Sequence, residues 1–120
     1  MDTMTYELKT IPGIRGVLCL ELKGFLYAGT LAKLAECFQT IPASTARLLL
    51  DFSGVQYVSA GAWNHILELQ HRINSNGGKM VLYGLKPEVQ DGFEFMELHQ
   101  TLKSFPGRKE ALAGGLSLNH

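Results

Sequence analysis

A short run of consecutive apolar residues constrains the fold of this chain more than any other feature. Leu48, Leu49 and Leu50 follow one another without interruption, and Asp51 stops the run. Successive side chains of a strand point to opposite faces, so a strand that is apolar at every position must be covered on both faces. Strands of this kind belong to sheets flanked by other elements, and the run therefore predicts an α/β fold.

The segments around this run alternate between strand and helix patterns. The predicted strands are residues 6–9, 17–22, 48–50 and 80–83. The first two predicted helices span residues 31–38 and 62–73, and the apolar stripe of the second is Ala62, Ile66, Leu69 and Ile73. A third helix begins at Pro87, with Val89, Phe93 and Met96 as its apolar repeat. The short turn after the first strand favours antiparallel pairing with the second. The order β-β-α-β-α-β-α predicts a mixed β-sheet with helices packed against it.

Length and composition indicate one domain. The chain has 120 residues, of which 46% are hydrophobic, enough to build a single core. From Pro106 onward, glycines accumulate and the apolar periodicity weakens. We therefore expect one domain over residues 1–105 and a flexible tail over residues 106–120.

Charge, hydropathy and cysteine content exclude several classes of protein. Eleven basic residues balance eleven acidic ones without a basic stripe, which argues against nucleic-acid binding. No apolar run approaches the roughly 20 residues of a membrane-spanning helix, and the N-terminus does not look like a secretory signal. Cys19 and Cys37 form no CxxC pair. We expect a cytoplasmic protein that does not insert into a membrane.

The familiar signatures of enzymes do not occur in the sequence. Phosphate-binding glycine loops, the zinc-protease motif and the serine-hydrolase elbow are missing. His65 and His71 fall on different faces of the second helix, and His99 is isolated, so no metal site is predicted. We therefore expect no catalytic residues, no metal and no cofactor.

Three segments should meet at one edge of the sheet, because loops leaving the carboxyl ends of parallel strands converge there. They are residues 24–30, 52–59 and 84–87, and we call this edge the rim. Within the second segment, Ser53-Gly54 reads as a turn, and Ser59 reads as the N-cap of the second helix. Function is expected at the rim.

The segment around the rim resembles the STAS domain family, the fold of bacterial anti-sigma factor antagonists. The resemblance covers about residues 14 to 103. The residues that carry it most specifically are Asp51, Ser53, Gly54, Val55, Tyr57, Val58, Ser59, Ala60 and Gly61. It implies a regulatory module whose helix-start serine is phosphorylated by a partner kinase that is also an anti-sigma factor. The added charge releases that partner.

This chain departs from the family pattern at the phosphoacceptor. Without gaps, the acceptor position is Ala60, which has no hydroxyl, and Ser59 lies one place earlier. We favour Ala60 as the acceptor equivalent and keep Ser59 as a fallback acceptor. Phe25 and Tyr27 replace the two acidic residues that the family has in the first rim loop. The resemblance therefore implies that the usual phosphorylation switch is absent or altered.

Aromatic side chains dominate the predicted rim, as they do in protein interfaces. The expected partner-binding residues are Gly24, Phe25, Tyr27, Thr30, Ser53, Tyr57, Ser59, Ala60, Gly61, Trp63 and Asn64. Core packing is the competing interpretation for Tyr57 and Trp63.

The sequence thus predicts a non-enzymatic module that binds an anti-sigma kinase or a signalling scaffold, and that could form homo-oligomers. One alternative is a receiver-like domain phosphorylated on Asp51, which would need Mg²⁺ held by further carboxylates. The other is a STAS accessory subunit of a transporter.

Overall fold

A five-stranded mixed sheet forms the centre of the computed structural model, which describes residues 3–117. The strands are β1 (Met4–Ile11), β2 (Ile14–Leu26), β3 (Arg47–Val58), β4 (Lys79–Tyr83) and β5 (Ser104–Phe105), and they lie side by side in this order. β1 and β2 form an antiparallel hairpin, whereas β2, β3, β4 and β5 run parallel. The predicted mixed α/β fold is confirmed.

Three helices cover one face of the sheet: α1 (Leu31–Gln39), α2 (Ala60–Ser75) and α3 (Pro87–Phe95). Their buried residues pack against every second residue of the strands, among them Leu48 and Leu50. Leu49 points to the opposite face and packs in a second apolar cluster. The prediction that this run is covered on both faces is therefore correct. In the described part of the chain, no helix is both long enough and apolar enough to cross a membrane.

The opposite face, which we call the second face, is covered by the end of the chain. A short helix, α4 (Arg108–Glu110), continues as one π-helical stretch, Ala111–Gly115. Ala111, Leu112 and Leu116 are buried against this face. The flexible tail predicted over residues 106–120 is wrong for residues 108–116, and residues 118–120 lie outside the described part of the chain. Glycines interrupt the helical periodicity of residues 108–116, and the apolar surface that those residues cover exists only in the assembled sheet.

β3 is longer than the sequence indicated, because it continues through Ser53 and Gly54 instead of turning there. Asp51 pairs with Glu21 and Gly54 with Lys23, so that β3 carries one residue more than β2 between these pairs. Such an irregularity is a β-bulge, which bends a strand without ending it. The predicted turn is thus a bulge in a continuous strand.

Candidate functional site

The first rim loop and the start of α2 lie at the same edge of the sheet. Phe25 pairs with Tyr57, and Leu26 pairs with Val58, in parallel register. The backbone N–H of Ser59 then donates to the carbonyl of Leu26 at 2.8 Å. The predicted convergence of these two segments is confirmed.

The third rim loop meets this edge at Ser53. The Lys86 ammonium donates to the backbone carbonyl of Ser53 at 2.7 Å. Gly84 lies against the same residue, because a Cβ atom there would approach the Cβ of Ser53 to 3.2 Å. All three loops therefore share one edge, as expected.

Ser59 caps α2 with its side chain, as predicted. Its backbone is extended, and its hydroxyl oxygen accepts from the N–H of Ala62 at 3.1 Å. This satisfies one of the backbone donors that the first turn of a helix leaves without a partner. Ala60 is the exposed first residue of the helix, and Asn64 is exposed one turn further on. Gly61, between them, is half-buried.

Thr30 was expected to contact a partner, but it is buried and holds the first rim loop in shape. Its hydroxyl donates to the carbonyl of Phe25 at 2.6 Å and accepts from the N–H of Tyr27 at 3.1 Å. A side chain whose hydrogen bonds are used inside the loop is not available to a partner. The prediction for Thr30 is corrected accordingly.

Gly24 has a structural reason to be glycine. It has a φ of 98°, and a Cβ atom there would collide with the backbone carbonyl of Thr3. That carbonyl accepts from the N–H of Phe25 at 2.8 Å. Gly24 therefore lets the chain segment before β1 pack closely at the base of the rim.

Trp63 belongs to the core and not to the rim surface, so its assignment as a partner contact is wrong. Only 1% of its surface is exposed. Its ring stacks on Phe52 at 5.6 Å with an interplanar angle of 4°, and it meets Phe93 at 5.3 Å and 51°. Trp63 thus joins α2 to β3 and α3, which is the packing interpretation that the sequence left open.

The remaining predicted contacts do form an accessible surface. Tyr57 is 52% exposed, and Ser53 is also exposed. Phe25 and Tyr27 are half-buried beside them. With Ala60 and Asn64 at the helix start, these side chains make a mixed aromatic and small polar surface. Such a surface is suited to contact with a protein.

Asp51 lies below this surface, on the second face, in a buried network of hydrogen bonds. Its Oδ1 accepts from the N–H and the hydroxyl of Ser53 at 2.9 and 2.6 Å, and its Oδ2 accepts from the Tyr83 hydroxyl at 2.8 Å. Arg108 Nε in turn donates to the Tyr83 oxygen at 3.2 Å. Sequence reasoning missed Tyr83 and Arg108, because only the pairing of β3 with β4 and the return of the chain end bring them here.

This network shifts the pKa values of Asp51 and Tyr83. Burial acts to raise the pKa of the Asp51 carboxyl, but the hydrogen bonds from Ser53 and Tyr83 and the Arg108 charge outweigh it, so the pKa is lowered. Burial, followed by the hydrogen bond to Asp51, raises the pKa of Tyr83 to about 12. Both carboxylate oxygens are engaged internally, which disfavours Asp51 as a phosphoacceptor. Within residues 3–117, no group of three His, Cys, Asp or Glu side chains could hold a metal ion.

Several solved structures have the same fold as this chain. An anti-sigma factor antagonist from Mycobacterium paratuberculosis superposes with a TM-score of 0.83 at 18% identity, over 94% of both chains. The Bacillus cell fate determinant SpoIIAA in its phosphorylated form gives 0.64 at 15% identity, over 92% of this chain and 99% of that one. The murine anion transporter Slc26a9 gives 0.77 at 15% identity, over 98% of this chain and 23% of the transporter.

Sequence comparison identifies the family. No curated protein matches this sequence closely enough to count as a relative. The family model described as the STAS domain, however, matches residues 6–111, which is most of the chain. The chain therefore belongs to the STAS domain family.

Proposed function

We propose that this STAS domain is a regulatory module without catalytic activity, which binds an anti-sigma kinase or a signalling scaffold in the cytoplasm through its rim. Its binding is not switched by phosphorylation of the residue at the acceptor position. One observation carries the proposal. The exposed first residue of α2 is Ala60, while the neighbouring Ser59 hydroxyl is used to cap the helix.

The chemistry of the helix start explains why this position matters. A phosphoryl group adds nearly two negative charges, and the free N–H groups of a helix start stabilise an anion. A hydroxyl at position 60 would place that charge on the exposed part of the rim, beside Tyr57 and Asn64. Alanine removes the acceptor and keeps the surface small and uncharged. The rim therefore keeps the uncharged surface that a family member has when its acceptor residue is not phosphorylated.

The first experiment tests the acceptor. The wild-type chain and Ala60→Ser are incubated with purified anti-sigma kinases of the host and ATP, and acid-stable phosphate is located by mass spectrometry. We expect no phosphate on the wild type and phosphate at position 60 in Ala60→Ser. Ser59→Ala is the matched control for the neighbouring hydroxyl. Phosphate on Ser59 of the wild type would contradict the proposal.

The second experiment tests the surface. Affinity for the same kinases and for host scaffold proteins is measured by titration calorimetry. We expect Tyr57→Ala and Ala60→Asp each to weaken binding about tenfold or more, since the first removes an exposed aromatic and the second adds a charge. Asn74→Ala, exposed near the far end of α2, is the control. Equal affinity for all variants would show that the rim is not the binding surface.

A second candidate function is an accessory domain of a transporter. The specific observation is that 98% of this chain superposes on part of the Slc26a9 anion transporter. In that case, the tagged chain should co-purify with a membrane transporter from detergent-solubilised host membranes, and none of the purified kinases should bind.

A further inference from the structure

Two large apolar side chains at the end of α3 are exposed. Phe95 is the last residue of the helix and has 88% of its surface exposed, and the adjacent Met96 has 39%. Among the described residues, Tyr57 is the only other large hydrophobic residue with comparable exposure. The sequence pattern placed Met96 in the buried stripe with Phe93, but α3 ends before it. Adjacent exposed apolar side chains of this kind mark interaction surfaces.

A small groove continues from the rim toward these residues. It has a volume of about 100 Å³ and lies between the end of β3 and α3, lined by Gln56, Tyr57, Val58, Glu88, Val89 and Gly92. Glu88, Gly92 and Phe95 follow at spacings of four and three, so they share one side of the helix. A Cβ atom at Gly92 would meet nothing within 4 Å, so this side of the helix is open. The stripe leads from the groove to Phe95.

The surroundings of this stripe are strongly acidic. Residues 87–97 include Glu88, Asp91, Glu94 and Glu97, all exposed, and no lysine or arginine. Within the described part of the chain, none of the four carboxylates lies within 4.0 Å of a cationic nitrogen. The chain as a whole has equal numbers of acidic and basic residues, so this concentration of negative charge is local.

We propose that this α3 surface, formed by the groove, Phe95, Met96 and the four carboxylates, binds a basic amphipathic helix of a partner protein. The apolar side of that helix would cover Phe95 and enter the groove, while its lysines or arginines pair with the carboxylates. Charge complementarity selects this occupant, because an anionic membrane or a nucleic acid would be repelled. The surface adjoins the rim at Tyr57, but the proposal does not depend on what happens at Ala60.

The test uses three synthetic peptides of equal length and the full ¹⁵N-labelled chain. One is an amphipathic helix of leucine and lysine, one has glutamate in place of lysine, and one has serine in place of leucine. Backbone amide shifts are followed during titration at low and moderate salt. We expect the leucine–lysine peptide to shift residues 88–97 and 56–58. The other two should bind about tenfold more weakly or worse, since each lacks one half of the recognition.

Variants assign the binding energy to named side chains. Phe95→Ala should weaken binding of the leucine–lysine peptide about tenfold. Glu94→Gln should weaken it less and reduce its salt dependence. Glu36→Gln, at an exposed carboxylate on α1, is the matched control and should change nothing. All of these positions are exposed, so the variants should keep the native spectrum.

Four outcomes would overturn the proposal. The first two are shifts spread over the whole surface and equal binding of the serine–lysine peptide, since either would indicate non-specific charge attraction. The third is wild-type affinity in Phe95→Ala. The fourth is self-association of the free chain in sedimentation velocity that Phe95→Ala abolishes, which would make a second copy the occupant.

Discussion

At the residue scale, Asp51 shows how one carboxylate links three parts of the fold. Through its two oxygens it holds the bulge at Ser53 and the end of β4 at Tyr83, and through Tyr83 it reaches Arg108 of the chain end. A buried carboxylate is tolerated only when its hydrogen bonds are complete. In the described residues, no buried side-chain nitrogen or oxygen lacks a partner, so the network is satisfied.

Removing one hydroxyl tests this network. We expect Tyr83→Phe to lower the free energy of unfolding by about 1–3 kcal/mol, because Asp51 Oδ2 would lose its donor while it stays buried. Urea denaturation measures the change. Tyr57→Phe is the matched control, since its hydroxyl is lost from an exposed ring, and it should have almost no effect. An unchanged free energy of unfolding in Tyr83→Phe would contradict this description of Asp51.

Acid should weaken the fold through the same carboxylate. Because the pKa of Asp51 is lower in the folded state than its ordinary value of 3.8, the unfolded chain binds the proton more readily. The stabilisation is therefore complete above about pH 5, and it is lost as the pH falls through the ordinary pKa toward the folded pKa. The free energy of unfolding is measured from about pH 5 down to about pH 2, which spans the titration range of a carboxyl. We expect it to fall less in Asp51→Asn than in the wild type. Asp91→Asn, at an exposed carboxylate, should follow the wild type.

At the element scale, α2 is the part of the molecule that its own sequence describes best. The predicted apolar stripe of Ala62, Ile66, Leu69 and Ile73 is buried, and Ser59 caps the helix. Both features depend on residues within a few positions of one another. Trp63 lies at the edge of the stripe, and its burial depends on Phe52 and Phe93 from other elements, so local periodicity could not decide it.

The cap has a measurable effect on stability. We expect Ser59→Ala to lower the free energy of unfolding by about 1 kcal/mol, because the N–H of Ala62 loses its acceptor. Ser75→Ala is the matched control: its hydroxyl donates to the carbonyl of His71 at the exposed end of the same helix. That variant should change stability by less than about 0.5 kcal/mol. Equal losses of unfolding free energy in Ser59→Ala and Ser75→Ala would mean that the Ser59 cap does not stabilise the helix more than an ordinary surface hydrogen bond.

At the scale of the whole molecule, the end of the chain completes the second face of the sheet. Ile11, Val17, Cys19, Leu49 and Val81 form a buried cluster with Ala111, Leu112 and Leu116. Without Ala111, Leu112 and Leu116, this face of β2, β3 and β4 would be left uncovered. The segment that looks least structured in the sequence is therefore part of the core.

A core substitution near the chain end measures this contribution. We expect Leu116→Ala to lower the free energy of unfolding by about 2–5 kcal/mol, the usual cost of such a truncation in a packed core. Phe95→Ala removes a larger apolar side chain from an exposed position, and it should change stability by less than about 0.5 kcal/mol. A small effect of Leu116→Ala would indicate that the chain end does not pack on the sheet in solution.

Features encoded within one element could be predicted from the sequence: the two-sided burial of residues 48–50 and the stripe and cap of α2. The convergence of the loops at the rim could be predicted as well, because alternating strands and helices imply parallel strands, whose carboxyl ends meet at one edge of the sheet. Other features that join distant elements could not. The roles of Thr30, Trp63 and Tyr83, the bulge at Ser53 and the packing of residues 108–116 all appear only in the folded chain. The physical reason is the range of the forces involved. Periodicity and capping act over a few residues, whereas strand register and packing decide which side chains meet across the molecule.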